Sequence, residues 1–243
     1  MDILLLEKEI NNYLESDKYP DAVKNGLQIE GLRDCKKIIS GVSFDAELIL
    51  QAVKNKADAL LVHHGIFKND VPSPFYLHGI IKNRLKLLLE NNLSLFCWHL
   101  PLDNHKQTGT NASLAEIFGL YDLLYITNGC IGKTTDSLKQ MQTAFSRYSP
   151  CSVFCFNKAR RHTVAIVSGA GSSMLEQCSR LGITTFITGE IKESAYAAAK
   201  ELKINLLILG HYASEMPGIK SLGNYIKINY PVEVIFKKNN NPF

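Results

Sequence analysis

The 243-residue chain is 46% hydrophobic, 9% aromatic and 21% charged. That is enough apolar content to bury one large core or two coupled smaller ones, and it argues against disorder. A net charge of +4 with scattered Lys and Arg is too weak for a nucleic-acid-binding surface; the densest basic cluster, Lys158, Arg160, Arg161 and His162, reads as a solvated loop. No run approaches the ~18 apolar residues needed to cross a bilayer, and the start, Met1-Asp2-Ile3-Leu4-Leu5-Leu6-Glu7-Lys8, reads as an amphipathic helix rather than a signal peptide. A cytoplasmic location without membrane partners is the expectation.

In chain order, apolar periodicity predicts helices near 3–15, 45–56, 78–91, 110–118, 137–147, 172–180 and 192–202. Apolar runs of strand length lie between them at 37–42, 59–62, 93–98, 163–167, 185–188 and 206–209, with a last strand at 232–236 and a frayed tail over 237–241. Strands alternating with helices predict an α/β fold with mainly parallel sheets covered on both faces. The six cysteines form no C-x-x-C pair and sit in or beside apolar runs, which predicts free, buried thiols.

A composition shift over 123–162, with Gly129, Gly132, Pro150, cysteines and mixed short strands, reads as the join between two halves or as a small insertion. The expected division is therefore a first repeat over 1–122, the link 123–162, and a second repeat over 163–243. The two repeats share a layout of strand, polar tip, helix, strand and polar tip. In the first the tips are His63-His64-Gly65 and His99-Leu100-Pro101-Leu102-Asp103; in the second they are Gly189-Glu190 and Gly210-His211-Tyr212-Ala213-Ser214-Glu215.

Parallel strands present ligand-binding residues at their carboxyl edge. Neighbouring side chains on a strand point to opposite faces, so His63 and His64 converge only if the strand has ended there; Gly65 permits that turn. Taken alone, the pair also reads as one solvent-facing and one buried, hydrogen-bonded His. His211 and Glu215, spaced i, i+4, share a face at a helix start, though a surface pair has the same spacing. Asp103 leaves its strand past the stiffening Pro101. Taken jointly, three imidazoles and two carboxylates suit two divalent metals of the zinc, iron, manganese or nickel kind. His99 and Glu190 are placed as outer partners of the ligands, with Glu190 also a candidate catalytic residue for handling water.

These motifs resemble the Nif-three-like dinuclear metal-centre family, some of whose members are named GTP cyclohydrolase I type-two homologue. The resemblance rests on Asp21 with Asn25-Gly26-Leu27-Gln28 and Gly31, Ala57-Asp58 leading to His63-His64-Gly65, His99 to Asp103 followed by Asn111 and Leu114-Ala115, Thr188-Gly189-Glu190, and Gly210 to Glu215. It implies His63, His64, Asp103, His211 and Glu215 as metal ligands, two interlocked α/β repeats, and a homohexameric ring with its metal sites facing an internal cavity. The chain departs from the family at Gly109-Thr110-Asn111, where Gly-Asn-Asn is common, and at Lys192-Glu193-Ser194, where many members carry a His.

Two functions fit these readings. One is a metal-dependent hydrolase acting on a small molecule through an activated water; GTP is a candidate by family label only, because no Gly-rich phosphate loop or tight Arg cluster appears. The other is a non-catalytic protein that stores, delivers or senses a metal, or serves as an interaction scaffold.

Overall fold

The computed structural model describes residues 1–67, 76–239 and 241–242. It divides into two compact units, Met1–Leu102 with Ile219–Asn240, and Asp103–Gly218 with Asn241–Phe243. The chain passes from the first unit to the second after Leu102 and returns to the first at Ile219. Each unit is a mixed α/β layer structure built on its own sheet.

In the first unit the sheet order is β1 (Gly26–Ile29), β4 (Ser94–Cys97), β3 (Ala59–His64), β2 (Lys37–Ser43), β11 (Glu233–Phe236). All neighbours are parallel except β1 against β4. The central β3 buries Ala59 through His63, which explains its uninterrupted apolar run: both faces of an inner parallel strand are covered. Helix α1 (Ile3–Tyr13) starts where the Asp2 carboxylate accepts from Leu4 N and Leu5 N, and it buries Ile3, Leu6 and Ile10 along one stripe. Helix α2 (Ala46–Lys54) is capped by Asp45, whose side chain accepts from Leu48 N. It packs Leu48, Ile49 and Ala52 against Ile39, Leu60, Val62, Leu95 and Cys97 of the sheet, and Leu88 of α3 (Gly79–Glu90) joins the same cluster.

The second unit carries the order β5 (Tyr121–Ile126), β6 (Gly129–Thr134), β8 (His162–Val167), β9 (Thr185–Thr188), β10 (Asn205–Ile208), β7 (Ser152–Phe154). Only β8–β9 and β9–β10 are parallel, so this sheet is mixed where a mainly parallel one is expected. The difference comes from segment 123–162, which supplies β6, β7 and most of β5 to the sheet, with α6 (Leu138–Phe145) between β6 and β7 behind a Ser137–Gln140 capping box. His162, expected in a solvated loop, opens β8 and is buried, its Nδ1 2.9 Å from Thr185 Oγ1. Helix α8 (Glu193–Glu201) and the short α7 (Leu175–Ser179) place Ala199, Leu175 and Cys178 against Phe186 and Leu206.

The repeated layout is present in the topology. The run β1-β2-α2-β3-α3-β4-α4, where α4 is Leu100–Asn104, matches β7-β8-α7-β9-α8-β10-α9, where α9 is His211–Asn229. In both, three parallel strands are flanked by the antiparallel strand that opens the run. The register also agrees: Ala59 pairs with Ser94, and Thr185 pairs with Asn205. Even the tie to the edge strand recurs. Ser94 Oγ accepts from Gly31 N at 2.8 Å, and Asn205 Oδ1 accepts from Phe156 N and Asn157 N at 2.8 and 3.0 Å.

Three further expectations change. Helix α9, expected only as a helix start at His211 and Glu215, runs to Asn229 through Pro217 and Gly218. Gly218 lies so close to Thr110 that an added Cβ would stand 2.3 Å from Thr110 Oγ1. The tail is tied down as far as Asn239: Lys237 N donates to Ser40 O, and Asn239 Nδ2 donates to Asp45 Oδ2 at 2.9 Å; Asn240 lies outside the described residues. Of the six free cysteines, Cys35, Cys97, Cys130 and Cys178 are buried, but Cys155 is exposed and Cys151 partly so.

Asn205 is the most connected of the edge-strand ties. Replacing it with Ala removes the acceptor of two backbone N–H groups and is expected to cost about 1–3 kcal/mol, read as a lower urea midpoint with an unchanged slope.

Candidate metal centre

In the first unit, the site residues sit where β3 and β4 end. His63 is fully buried, and its Nδ1 lies 2.9 Å from the carbonyl oxygen of Trp98. A carbonyl only accepts, so Nδ1 carries the proton and Nε2 is the lone-pair nitrogen that a metal can use. Sequence reasoning ends the strand before this pair, whereas β3 continues through His64, which pairs with Ser43. The two rings nevertheless approach with centroids 4.9 Å apart, inclined at 63°. Cys97 is not a competing ligand: burial pushes its thiol up to about 12, and the protonated Sγ donates to His63 O.

His99 follows β4. Its ring centroid is 4.9 Å from that of His63 and 5.5 Å from that of His64. Behind it stands Asp21, whose carboxylate oxygens lie 3.0 and 3.1 Å from His99 Nδ1. The same carboxylate accepts from Val23 N, Asn25 Nδ2 and Leu100 N. Burial would push Asp21 up, but the hydrogen bonds from His99, Asn25 and Val23 outweigh it and hold the carboxyl well below the usual range. Asn25 also accepts from His99 N at 2.8 Å. Gln28 secures the turn after β3: its Oε1 accepts from Ile66 N and Phe67 N, and its amide fills the space that a Cβ on Gly65 would occupy, 2.3 Å away. The Asp21 and Asn25-Gly26-Leu27-Gln28 motif thus holds the two histidine tips.

In the second unit, α9 begins at His211. The ring lies between two carboxylates, with Nδ1 2.5 Å from Glu190 Oε1 and Nε2 3.1 Å from Glu215 Oε1. Glu215 is almost wholly buried, while the Glu190 side chain is 55% exposed. The hydrogen bond to Glu215 is the main cause that pushes His211 up to about 9; burial opposes it and Glu190 adds to it. Asp103 is buried in α4, its main chain held by Asn111 Nδ2 at 3.0 Å, with Ser168 Oγ 3.5 Å from its Oδ1. The tip of β8, Ser168-Gly169, is the part sequence reasoning missed. Gly169 has φ +58°, and a Cβ there would stand 2.6 Å from Glu215 Oε1. Its carbonyl accepts from Glu190 N, and its N–H donates to Ser214 Oγ. Only a bare glycine marked this position in the sequence.

Among the described residues, His63, His64, His99, Asp103 and Glu215 are possible metal-binding residues. Imidazole and carboxylate donors without thiolate, with His63, Asp103 and Glu215 buried and His64 and His99 partly exposed, are a fitting set for a divalent metal of intermediate hardness.

With this geometry in place, the comparisons with known proteins are decisive. Residues 1–242 match the Duf34/NIF3 (NGG1p interacting factor 3) family. The chain belongs to that family. A relative from Buchnera aphidicola subsp. Schizaphis graminum, named GTP cyclohydrolase 1 type 2 homolog, is 38% identical over 249 residues and the match covers 100% of both chains. An Escherichia coli relative of the same name is 34% identical, covering 98% of each. Among solved structures, the protein ybgI, described as of unknown function, superposes with a TM-score of 0.93 at 33% identity over 100% of both chains. A Thermus thermophilus protein gives 0.89 at 28% identity, again over 100% of both. The NIF3 fold and the α/β class read from the sequence are thereby shown.

The His211 clamp has two measurable consequences. Because its folded value, about 9, exceeds the ordinary 6.5, the protonated ring stabilises the metal-free fold fully below pH ~6.5, and this contribution is lost as pH rises through about 9. Thermal melts of chelator-treated protein are expected to fall across that window, and in Glu215→Gln the fall should shrink; an equal fall in both proteins would contradict the clamp. Gly169→Ala, which forces a left-handed backbone on a Cβ facing Glu215, is expected to bring the His211 titration, followed by NMR, back toward 6.5 while the melt remains cooperative.

Proposed function

We propose that this NIF3-family protein is a dinuclear metal protein that hydrolyses a small molecule, with His63, His64, Asp103, His211 and Glu215 as ligands of two divalent ions of the zinc, iron, manganese or nickel kind. The observation that carries the reading is the way imidazoles are fixed from behind. His63 is held through Nδ1 by a carbonyl and His211 through Nδ1 by Glu190, the support expected of metal-ligating histidines. In each unit the candidate ligands follow the carboxyl ends of parallel strands, where α/β folds place ligands.

When bound, a metal pair of this kind polarises the substrate and makes a water acidic enough to attack at neutral pH. The chain's own part is to orient and to handle protons. Trp98 O fixes the His63 tautomer, Asn111 and Ser168 hold Asp103, and Gly169 leaves room for the Glu215 carboxylate. Glu190, half-exposed after β9, accepts from His211 Nδ1 with one carboxylate oxygen and would take a proton from water with the other.

A cavity of about 260 Å³ lies in the second unit, lined by Ser172, Ser173, Glu176, Lys192 and Ser194 among others. Its size suits a small polar substrate. Lys192 is its one lining cation, a poor match for a triphosphate, so GTP, which enters only through the relatives' name, is disfavoured. The alternative, a metal carrier or interaction scaffold, draws on the family's name as an interacting factor. The dividing test is turnover by the metal-loaded protein on GTP, phosphoesters and cyclic amides. A hydrolase turns over one class and loses at least ~100-fold in kcat in Glu190→Gln with its metal retained; metal exchange with no turnover of any class favours the carrier.

A cytoplasmic homohexamer belongs to the same proposal. No helix among the described residues is long and apolar enough to cross a membrane. The edge strand β5 exposes Tyr121, Leu123 and Leu124, an apolar edge of the kind that proteins cover by association. Light scattering is expected to give a mass near six times 27.1 kDa, and Leu124→Lys is expected to lower it; a wild-type monomer with full metal content would refute the ring.

A further inference from the structure

We propose that His99 is a sixth metal ligand, binding through Nε2, and that Asp21 is the residue that positions it; this rests on the dinuclear reading above. Sequence reasoning places His99 behind the ligands, as an outer partner. The structure puts a carboxylate behind His99 instead.

The argument begins with the hydrogen bonds. Asp21 accepts from Val23 N, Asn25 Nδ2 and Leu100 N. A carboxylate so surrounded by donors acts as an acceptor toward the fourth, so the proton between it and His99 belongs to Nδ1. That leaves Nε2 as the lone-pair nitrogen, on the side of the ring away from Asp21. The backbone at His99 is fixed as well, because its N–H is held by Asn25 Oδ1 and the next N–H by Asp21 Oδ2. With centroids 4.9 Å from His63 and 5.5 Å from His64, the ring belongs to one cluster of three imidazoles within the first unit, and its donor atom is among those able to hold a metal ion.

The internal repeat supplies an independent argument. After β4 the chain reads His99-Leu100-Pro101-Leu102-Asp103; after β10, the matching strand, it reads His211-Tyr212-Ala213-Ser214-Glu215. Each is an imidazole followed at i+4 by a buried carboxylate. In each the His Nδ1 faces a second carboxylate from elsewhere in its own unit, Asp21 for His99 and Glu190 for His211. Asp21 lies before β1 and Glu190 at the tip of β9, so the repeat has reached the same arrangement with non-equivalent residues. The arrangement of carboxylate, His and carboxylate is thus the same chemical device after both strands. If His211 binds a metal through Nε2, His99 is built to do likewise.

The test uses the full-length protein loaded with cobalt(II), measuring metal equivalents by mass spectrometry after gel filtration and the visible d–d spectrum, with circular dichroism and melting as the check on folding. Wild type, His63→Ala, His99→Gln, His99→Gly and Asp21→Asn are compared. His99→Gln is expected to lose one cobalt equivalent, or to bind it at least ~100-fold more weakly, with a changed spectrum. Adding imidazole to His99→Gly is expected to restore the wild-type spectrum, which a purely structural role would not produce. Asp21→Asn is expected to keep both equivalents but weaken one by about 10–100-fold. A folded His99→Gln with both equivalents and the wild-type spectrum would overturn the proposal while leaving the dinuclear reading intact. Cobalt bound by neither wild type nor His63→Ala would sink the dinuclear reading and this proposal together.

Discussion

The orientation of a few imidazole rings is the constraint on which the candidate site depends. An imidazole can serve a metal only if one nitrogen is relieved of its proton and held facing the ion, and in a flexible side chain neither condition is met by default. Here the far nitrogen is engaged in three rings, by Trp98 O at His63, by Asp21 at His99 and by Glu190 at His211. Much of the surrounding architecture serves these anchors. The first segment of the chain supplies Asp21, Asn25 and Gln28, which tie down His99 and the turn after His64. The β8 tip supplies Gly169, whose missing side chain makes room for Glu215.

The two sheets explain why the anchors fall where they do. Parallel strands deliver chain ends to one edge, and each unit repeats the same run of three parallel strands with an antiparallel strand at the flank. Equivalent tips diverge in content: by the shared register, His63-His64 of β3 stands where β9 has Gly189-Glu190. One unit therefore offers neighbouring imidazoles at that tip and the other a carboxylate. A duplicated scaffold with unlike tips is an economical way to make a mixed nitrogen and oxygen donor set, and a pair of unlike donor sets suits a pair of metals that do different jobs.

How much of this was legible in the sequence follows from the physics of each signal. The inner strands were read correctly because burial on both faces leaves continuous apolar runs, as in Ala59 to Val62 and Leu206 to Leu209. Amphipathic helices with caps, such as α1 behind Asp2 and α2 behind Asp45, were also legible. In 123–162 the presence of short strands is legible but their positions are not, since β5 is exposed along most of its length and β7 is three residues long, and neither gives a clean period. Helix α9 was legible only at its start; Pro217 and Gly218 are poor helix formers, yet the helix continues through them, with Gly218 packed closely on Thr110. In the site, the charged and imidazole residues announced themselves, and the resemblance carried by the motifs placed them in the right family. Asp21 appeared only as part of a motif, and its role as the carboxylate behind His99 depends on a contact 78 positions apart in the chain. Gly169 could not be found at all, because its contribution is the absence of an atom.

The central proposal is that His63, His64, Asp103, His211 and Glu215 are ligands of two metal ions. Anomalous diffraction from crystals of the protein, collected above and below the absorption edge of the metal it retains on purification, tests this most directly. The account predicts two peaks about 3.5–4 Å apart, one or both within bonding distance of each of His63, His64, Asp103, His211 and Glu215. A single peak, or peaks that leave His63 and Glu215 outside bonding distance, would contradict it.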